Sequence, residues 1–376
     1  MQPDIEGFLY PHIDETHCIN CGLCAKSCSF IQPYEKIIPQ NVYAAKNPSD
    51  EIRKQSSSGG IFYILAKHIL SVGGVVFGAR FDDSFQVIHD YAETEESAKR
   101  FIGSKYVQSD IGNTYKLAEN FLKQNRNVLF TGTPCQIAGL KHYLKKDYKH
   151  LICADVVCHG VPSPAIWSEY LAYCKEQLRN RHNQDIEIIH VNFRSKIDSW
   201  EKYAFSIQYK LCATAEIREF VDYDSAYMKA FGANIICRPS CFHCKAKGFC
   251  SGSDITLGDY WGIKEIMPDF VDKLGVSLTT CNTNKGIELI NNLPLELAVS
   301  KYEDIIMGNP CIIEPIPETR SRADFWKKRD IPLIQRIHSC IKVSFYKRVK
   351  NTLYDMADKL NLLSYYKLVK KFIINK

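Results

Sequence analysis

The chain of 376 residues contains no run of eighteen or more apolar residues, so no stretch of it has the length of a membrane-spanning helix. Its start, MQPDIEGFLYPHID, lacks both the basic flank and the apolar core of a secretory signal. The two absences together predict a protein that neither spans a membrane nor is exported. No internal repeat or low-complexity stretch is present, so the chain reads as a series of distinct segments. A general excess of positive charge is missing too. Lys327 to Lys376 holds thirteen Lys and Arg against three Asp, a net of +10, which leaves about −4 of the whole-chain +6 for the first 326 residues. That mildly acidic balance has no nucleic-acid footprint, and the basic character belongs to the tail.

What the chain does have is the composition of an ordinary globular protein, 45% hydrophobic and 24% charged, with a length that suggests two domains, and sixteen cysteines. In a long chain without an export signal, that many thiols point to metal or redox work rather than a disulfide framework. They also predict a reducing, cytoplasmic setting.

A dense cysteine run fills residues 1 to about 31, and the polar stretch after it, punctuated by Pro33, Pro39 and Pro48, reads as a connector. From Ser56 the pattern changes. SSSGG precedes Ile61, Ile64, Leu65 and Ile69 at helical spacing, and Val75, Val76 and Phe77 then predict a strand. Val128 to Phe130 is a short buried strand followed by the loop TGTPC and a helix carrying Ile137, Leu140 and Leu144. The strand LICADVV, the loop CHGVPSP and a helix from near Trp167 repeat the theme. The alternation predicts an α/β body. Tyr203 to Leu211 alternates, and EIREFV answers it, which predicts an antiparallel pair and hence a mixed sheet. NPCIIEPIPET, with prolines at 310, 315 and 317, closes the body. The expected organisation is a small module at 1–35, a body at 50–310 and a helical tail at 320–376.

Cys18, Cys21, Cys24 and Cys28 form C-x2-C-x2-C-x3-C, the spacing with which bacterial ferredoxins place soft thiolates around a 4Fe-4S cubane. Zinc sites more often use two separated cysteine pairs. Ser29 stands where ferredoxin runs usually have proline. In two-cluster ferredoxins the fourth cysteine of each run serves the other cluster. Either this run holds one cluster with all four cysteines, or a partner motif lies upstream of Met1; IEGFLYPHID resembles the material between two such motifs and favours the second reading. A second group, C-x3-C-x2-C-x5-C, comprises Cys237, Cys241, Cys244 and Cys250 and precedes SDITLGDYWG. Cys135 and Cys158 sit at strand-to-loop junctions, where open α/β sheets build their binding crevice, so they can converge with that group. A purely local cluster on 237, 241, 244 and 250 is the alternative. Cys153, Cys174, Cys212, Cys281, Cys311 and Cys340 read as buried small hydrophobes.

SSSGGIF, GSKYVQS, LFTGTPCQIAGL, DVVCHGVPSP, RPSCFHC and SDITLGDYWG, in this order between about Glu6 and Ile263, resemble the beta subunits of coenzyme F420-reducing hydrogenases and dehydrogenases, in the bacterial branch with an N-terminal ferredoxin motif. The resemblance implies an iron–sulfur flavoenzyme, with a second 4Fe-4S cluster in the body on Cys135, Cys158, Cys241 and Cys244 and FAD beside it. It also implies electron exchange between ferredoxin or another redox protein and a small-molecule, two-electron substrate. Coenzyme F420 itself is doubtful as that substrate, since bacterial relatives look as though they serve polysaccharide synthesis. For FAD the candidate residues are Ser58, Gly59 and Gly60, which open a helix whose unsatisfied N–H groups favour a pyrophosphate. Gly103, Lys105 and Tyr106 of GSKYVQS join them, the lysine placing positive charge near a reduced ring. His159 and Asp259 receive no catalytic role. A non-catalytic electron-transfer subunit and a zinc-stabilised scaffold are the competing readings.

In the tail, Ile334, Ile337, Ile341, Phe345 and Val349 recur at helical spacing with Lys342, Lys347, Arg348 and Lys350 among them, and Leu353, Met356, Leu360 and Leu363 extend the pattern. Packing on the body or a second subunit fits this pattern. So does an anionic membrane surface, which would make the protein peripheral to the inner face of the membrane.

Overall fold

Hydrophobic side chains that point to both faces of a strand need cover on both faces. The computed structural model, which describes residues 1–341, meets that demand with helices on either side of a sheet. In chain order the strands are β1 (Gln2–Pro3), β2 (Leu9–Tyr10), β3 (Asn41–Lys46), β4 (Val75–Phe81), β5 (Val87–Ala92), β6 (Val128–Gly132) and β7 (Leu151–Val156). They continue with β8 (Ile186–Ser195), β9 (Ala204–Leu211), β10 (Ile217–Asp222), β11 (Ile255–Asp259), β12 (Ser277–Cys281) and β13 (Glu296–Val299). The large sheet has the order β13-β3-β12-β11-β7-β6-β4-β5. Its centre, β11, β7, β6 and β4, is parallel, and every other pairing in it is antiparallel.

Helix α1 (Ile61–Ser71) packs Ile61, Ile64, Leu65 and Ile69 against Val76, Leu129, Ala154 and Ile255 on one face. Helices α2 (Thr114–Lys123) and α3 (Pro134–Leu144) cover Val75, Phe77, Val128, Phe130 and Leu151 on the other. The fold is thus the expected α/β body on a mixed sheet. Helix α4 (Pro164–His182) starts three residues before Trp167 because the Ser163 hydroxyl accepts the Ile166 N–H as an N-cap.

Three local expectations need correction. The antiparallel pair forms as β9 and β10, from Phe205 opposite Asp222 to Lys210 opposite Ile217, but with β8 it builds a separate three-stranded sheet. The antiparallel members of the large sheet are instead β13, β3, β12 and β5. The stretch read as a connector contains β3, whose Val42, Ala44 and Ala45 are buried between β12 and β13. Cys212 is exposed, just past the end of β9, and Cys311 is half-buried, whereas Cys153, Cys174, Cys281 and Cys340 are buried as expected.

The chain divides into two compact units, Met1–Thr319 and Arg320–Lys376. In the second, helices Arg320–Lys327 and Leu333–Cys340 are described, and the Arg336 guanidinium lies 4.4 Å from the centre of the Phe325 ring. Ile334 and Ile337 are helical as expected, while Ile341 follows the helix in extended conformation. Lys342, Phe345, Lys347, Arg348, Val349, Lys350, Leu353, Met356, Leu360 and Leu363 lie outside the described residues, and with them most of the surface that the membrane expectation rests on.

Candidate functional site

The carboxyl ends of parallel strands leave a crevice where helices depart on opposite faces of the sheet. Cys135 leaves β6 at the first turn of α3, and Cys158 follows β7. Backbone pairing brings the later cysteines to them. Ser163 N–H donates to the Ile236 carbonyl, Arg238 N–H to the Val161 carbonyl and Cys241 N–H to the Arg238 carbonyl, while Pro162 and Cys237 form a bridge. The segment that carries Cys241 and Cys244 is thereby laid along the one that follows Cys158. Gly160 lies against this segment, and a Cβ there would touch Cys237 Sγ at 3.4 Å and Cys241 Cβ at 3.5 Å and crowd the Ile316 side chain at 3.0 Å.

Four thiols converge. Burial pushes the thiol of Cys158 well above its ordinary range, that of Cys241 up to about 12, and that of Cys244 upward. Repulsion adds to each shift, and among Cys135, Cys158, Cys241 and Cys244 every pair is close enough to contribute. Desolvated sulfurs set close together are costly as thiolates, so those of Cys158, Cys241 and Cys244 remain protonated or give up their protons to a cationic centre. Nearby cations offer partial compensation: Lys247, which donates to the carbonyls of Cys158 and Cys311, beside Cys158 and Cys244, and Arg238 beside Cys241. This donor set fits a 4Fe-4S cluster. Among the described residues no three His, Cys, Asp or Glu side chains are placed to hold one metal ion. A single zinc with ~2.3 Å bonds draws its thiolates together, whereas a cubane, with one iron per thiolate, holds them farther apart.

The set is open on one side, at the exposed Cys135. The Ser29 hydroxyl, in the position where ferredoxins carry proline, donates to the Cys135 carbonyl at 3.4 Å. The run at Cys18, Cys21, Cys24 and Cys28 therefore lies beside the open edge of the interior set, with its first three cysteines exposed. It is fastened on both sides. Upstream, Phe8 is fully buried, the Gln108 side chain exchanges two hydrogen bonds with the Leu9 backbone, and Arg238 covers the Tyr10 ring at 4.0 Å. Downstream, the Tyr34 ring packs on His142 at 4.7 Å, and Ile37 N–H donates to the Phe249 carbonyl.

A cavity of about 300 Å³ opens at the same strand ends, within the size range of small-molecule sites. Ser58, Gly60, Gly103, Lys105 and Tyr106 line it, and so do Cys158 and His159. The interior thiols and the cavity thus share a wall. Gly59 does not line it. A Cβ at this glycine would meet the Ala45 carbonyl at 2.5 Å and the Ser277 nitrogen at 2.7 Å, so its smallness serves the packing of the loop on β3 and β12. Gly60 adopts φ 80° as the N-cap of α1, and no side chain caps that helix, leaving its first N–H groups available at the cavity. The Lys105 ammonium donates to the carbonyls of Arg100 and Ile102 at 3.0 Å each, and burial lowers its pKa to about 7. No carboxylate pairs with it among the described residues. An uncapped helix start beside a half-buried lysine with no carboxylate partner among the described residues suits an anion, and these features fit the pyrophosphate of FAD.

Other lining groups escaped the motif reading. His89 is buried, which lowers its pKa to about 4 and keeps it neutral. Its Nε2–H donates to the Thr131 carbonyl at 3.0 Å and its Nδ1 accepts from Ser109, whose oxygen also accepts from Gln136. At the Tyr106 end, buried Arg194 donates through Nη1 to Asp259 at 2.7 Å and to the Tyr106 hydroxyl at 3.1 Å. Arg194 has no motif signal, being one arginine on a β-strand. His159 donates from Nε2 to Asn234 at 2.7 Å, and burial lowers its pKa.

Comparison with known proteins adds three findings. The family that describes the C terminus of the coenzyme F420 hydrogenase/dehydrogenase beta subunit matches residues 125–304. No curated protein matches the chain. Among solved structures, a chain of the F420-reducing [NiFe] hydrogenase complex from Methanosarcina barkeri is similar at 17% identity and a TM-score of 0.43, over 70% of this chain and 83% of that one.

Proposed function

Through residues 125–304 the chain belongs to the coenzyme F420 hydrogenase/dehydrogenase beta-subunit family, and from that premise we propose that this redox protein is an iron–sulfur flavin oxidoreductase. The single observation that carries the proposal is the wall shared by the thiol set of Cys135, Cys158, Cys241 and Cys244 and the cavity at the strand ends. In this reading the four thiols hold a 4Fe-4S cluster, and Cys18, Cys21, Cys24 and Cys28 hold a second. FAD occupies the cavity, with Lys105 and the start of α1 holding its phosphates and Gly103 admitting its ring. When bound, the flavin supplies the exchange between single electrons and a hydride, which neither clusters nor side chains can perform.

The chain's own residues set the order of events. A cluster held by the exposed run would take single electrons from a ferredoxin-type partner protein. Ser29 keeps that run against Cys135, and a cluster held by the interior set would adjoin the cavity at Cys158. The apolar strand ends and the neutral His89 keep water and stray charge from the ring. The substrate is a small molecule, and a sugar-linked one is the class that analogy with the family's bacterial branch suggests. Anaerobic purification followed by iron, sulfide, zinc and flavin analysis tests the reading. Brown protein with two clusters and one FAD per chain supports it, and a colourless zinc-loaded or flavin-free sample ends it.

A further inference from the structure

Clusters carry electrons singly and carry no protons. A flavin that takes two electrons and is to hand on a hydride must therefore gain a proton from elsewhere. Resting on the reading above, we infer that Tyr106 donates this proton, with Arg194 and Asp259 as the positioning residues behind it.

The geometry points to Tyr106 rather than to the imidazoles of the cavity. Its hydroxyl oxygen accepts from Arg194 Nη1 at 3.1 Å, and among the described residues no acceptor takes the hydroxyl proton. Arginine can only donate, so this contact leaves the proton of Tyr106 unengaged at a cavity wall. The His89 Nε2–H is committed to Thr131 and the His159 Nε2–H to Asn234. Arg194 is held by the Asp259 Oδ2 contact and lies over the Tyr203 ring at 4.0 Å. Asp259 Oδ1 is buried without a hydrogen-bond partner, so this carboxylate has not spent its second oxygen on structure. The Tyr106 ring is fixed between Phe231 and Phe193, with centroids 4.9 and 5.7 Å away.

The step balances. Two one-electron donors of ferredoxin type each lose one electron, the Tyr106 O–H bond breaks, an N–H bond forms on the flavin ring, and the negative phenolic oxygen faces Arg194. Water then returns a proton to the phenol. The ring gains two electrons and one proton, which is one hydride equivalent.

The test is single-turnover reduction of the FAD-loaded, cluster-loaded full chain by reduced methyl viologen, in H2O and in D2O, with FAD affinity measured by fluorescence in parallel. Tyr106→Phe preserves the ring packing. It should slow full flavin reduction about a hundredfold, the lower range for loss of a positioned acid, and should abolish the wild-type solvent isotope effect. Asp259→Asn should slow it about tenfold and keep the isotope effect. FAD affinity should shift less than about threefold in both variants. Wild-type rate and isotope effect in Tyr106→Phe overturn the inference, as does transfer of the defect to Lys105→Met. A Tyr106→Phe defect explained by lost FAD binding overturns it as well. Failure of the wild-type chain to bind FAD overturns the functional reading first, before any variant is compared.

Discussion

The two cysteine groups differ in how the chain assembles them. Cys18, Cys21, Cys24 and Cys28 lie on one short stretch and are largely exposed, while Cys135, Cys158, Cys241 and Cys244 come from three loops and are brought together by the sheet. A local run can wrap a cluster with little help from the rest of the fold. The scattered set exists only if β6 and β7 end side by side and residues 236–241 pair with 161–163. Three of its thiols, those of Cys158, Cys241 and Cys244, are also desolvated. Interior sulfurs are thus tied to folding and outer ones mainly to loop geometry.

The strongest way to break this comparison is to exchange one ligand in each group. Cys158→Ser should remove the interior cluster, leave about half the iron per chain, and reduce electron delivery to flavin to background in stopped-flow measurements. Cys21→Ser should also cost about half the iron but spare the interior. Flavin in that variant should still be reduced by dithionite, while reduction by a protein donor is lost. If both variants fail identically with the small reductant, the two groups are not arranged in series.

The cavity wall gives a test of intermediate size. With a Lys105 pKa of about 7, the cationic fraction falls roughly tenfold between pH 6 and pH 8, and FAD affinity should fall with it. Lys105→Met should weaken FAD about tenfold at pH 6 and flatten the pH dependence. Isothermal titration at the two pH values checks both statements.

The smallest effect sharpens the interior side of the contrast. Asp155, at the end of β7, is buried with its carboxyl raised from 3.8 to about 6 by desolvation, and Ser251 donates to it. The folded state therefore holds more protons than the unfolded one between about pH 4 and 6, and this contribution to stability is lost as pH rises. His89 acts in the opposite sense. Its pKa is depressed from 6.5 to about 4, so its contribution is gained as pH rises over that range. Each amounts to roughly 3 kcal/mol at 1.36 kcal/mol per unit, and they nearly cancel. Asp155→Asn should leave a chain that grows more stable from about pH 4.5 to 6.5, and His89→Gln one that grows less stable. Urea unfolding of the apo chain at both pH values reads the sign.

Much of the parallel centre was legible in the sequence because strands buried on both faces read as short apolar runs, as Val75 to Phe77 and Val128 to Phe130 do. β3 was not, since NVYAAK sits among prolines and takes its burial from β12 and β13, partners more than two hundred residues away. The outer cysteine run is an expectation from spacing, and the structure adds its placement beside Cys135. The convergence of Cys135 and Cys158 with Cys241 and Cys244 was expected from family motifs and strand ends, but spacing could not separate it from a local set with Cys237 and Cys250. Arg194 was invisible for a plainer reason. Its significance lies in Tyr106 and Asp259, which are distant in sequence and adjacent only across the cavity.

The anchoring of Phe8, Leu9 and Tyr10 upstream of the outer run, with Tyr34 and Ile37 downstream, has a kinetic corollary. A tethered carrier that must swing between donor and acceptor is limited by diffusion of its arm, and its throughput depends on viscosity and linker length. In the proposed reading the inlet is instead fastened to the body at both ends. Throughput across it should be indifferent to viscogens, and any slow conformational gate must belong to the arriving carrier or to the departing product.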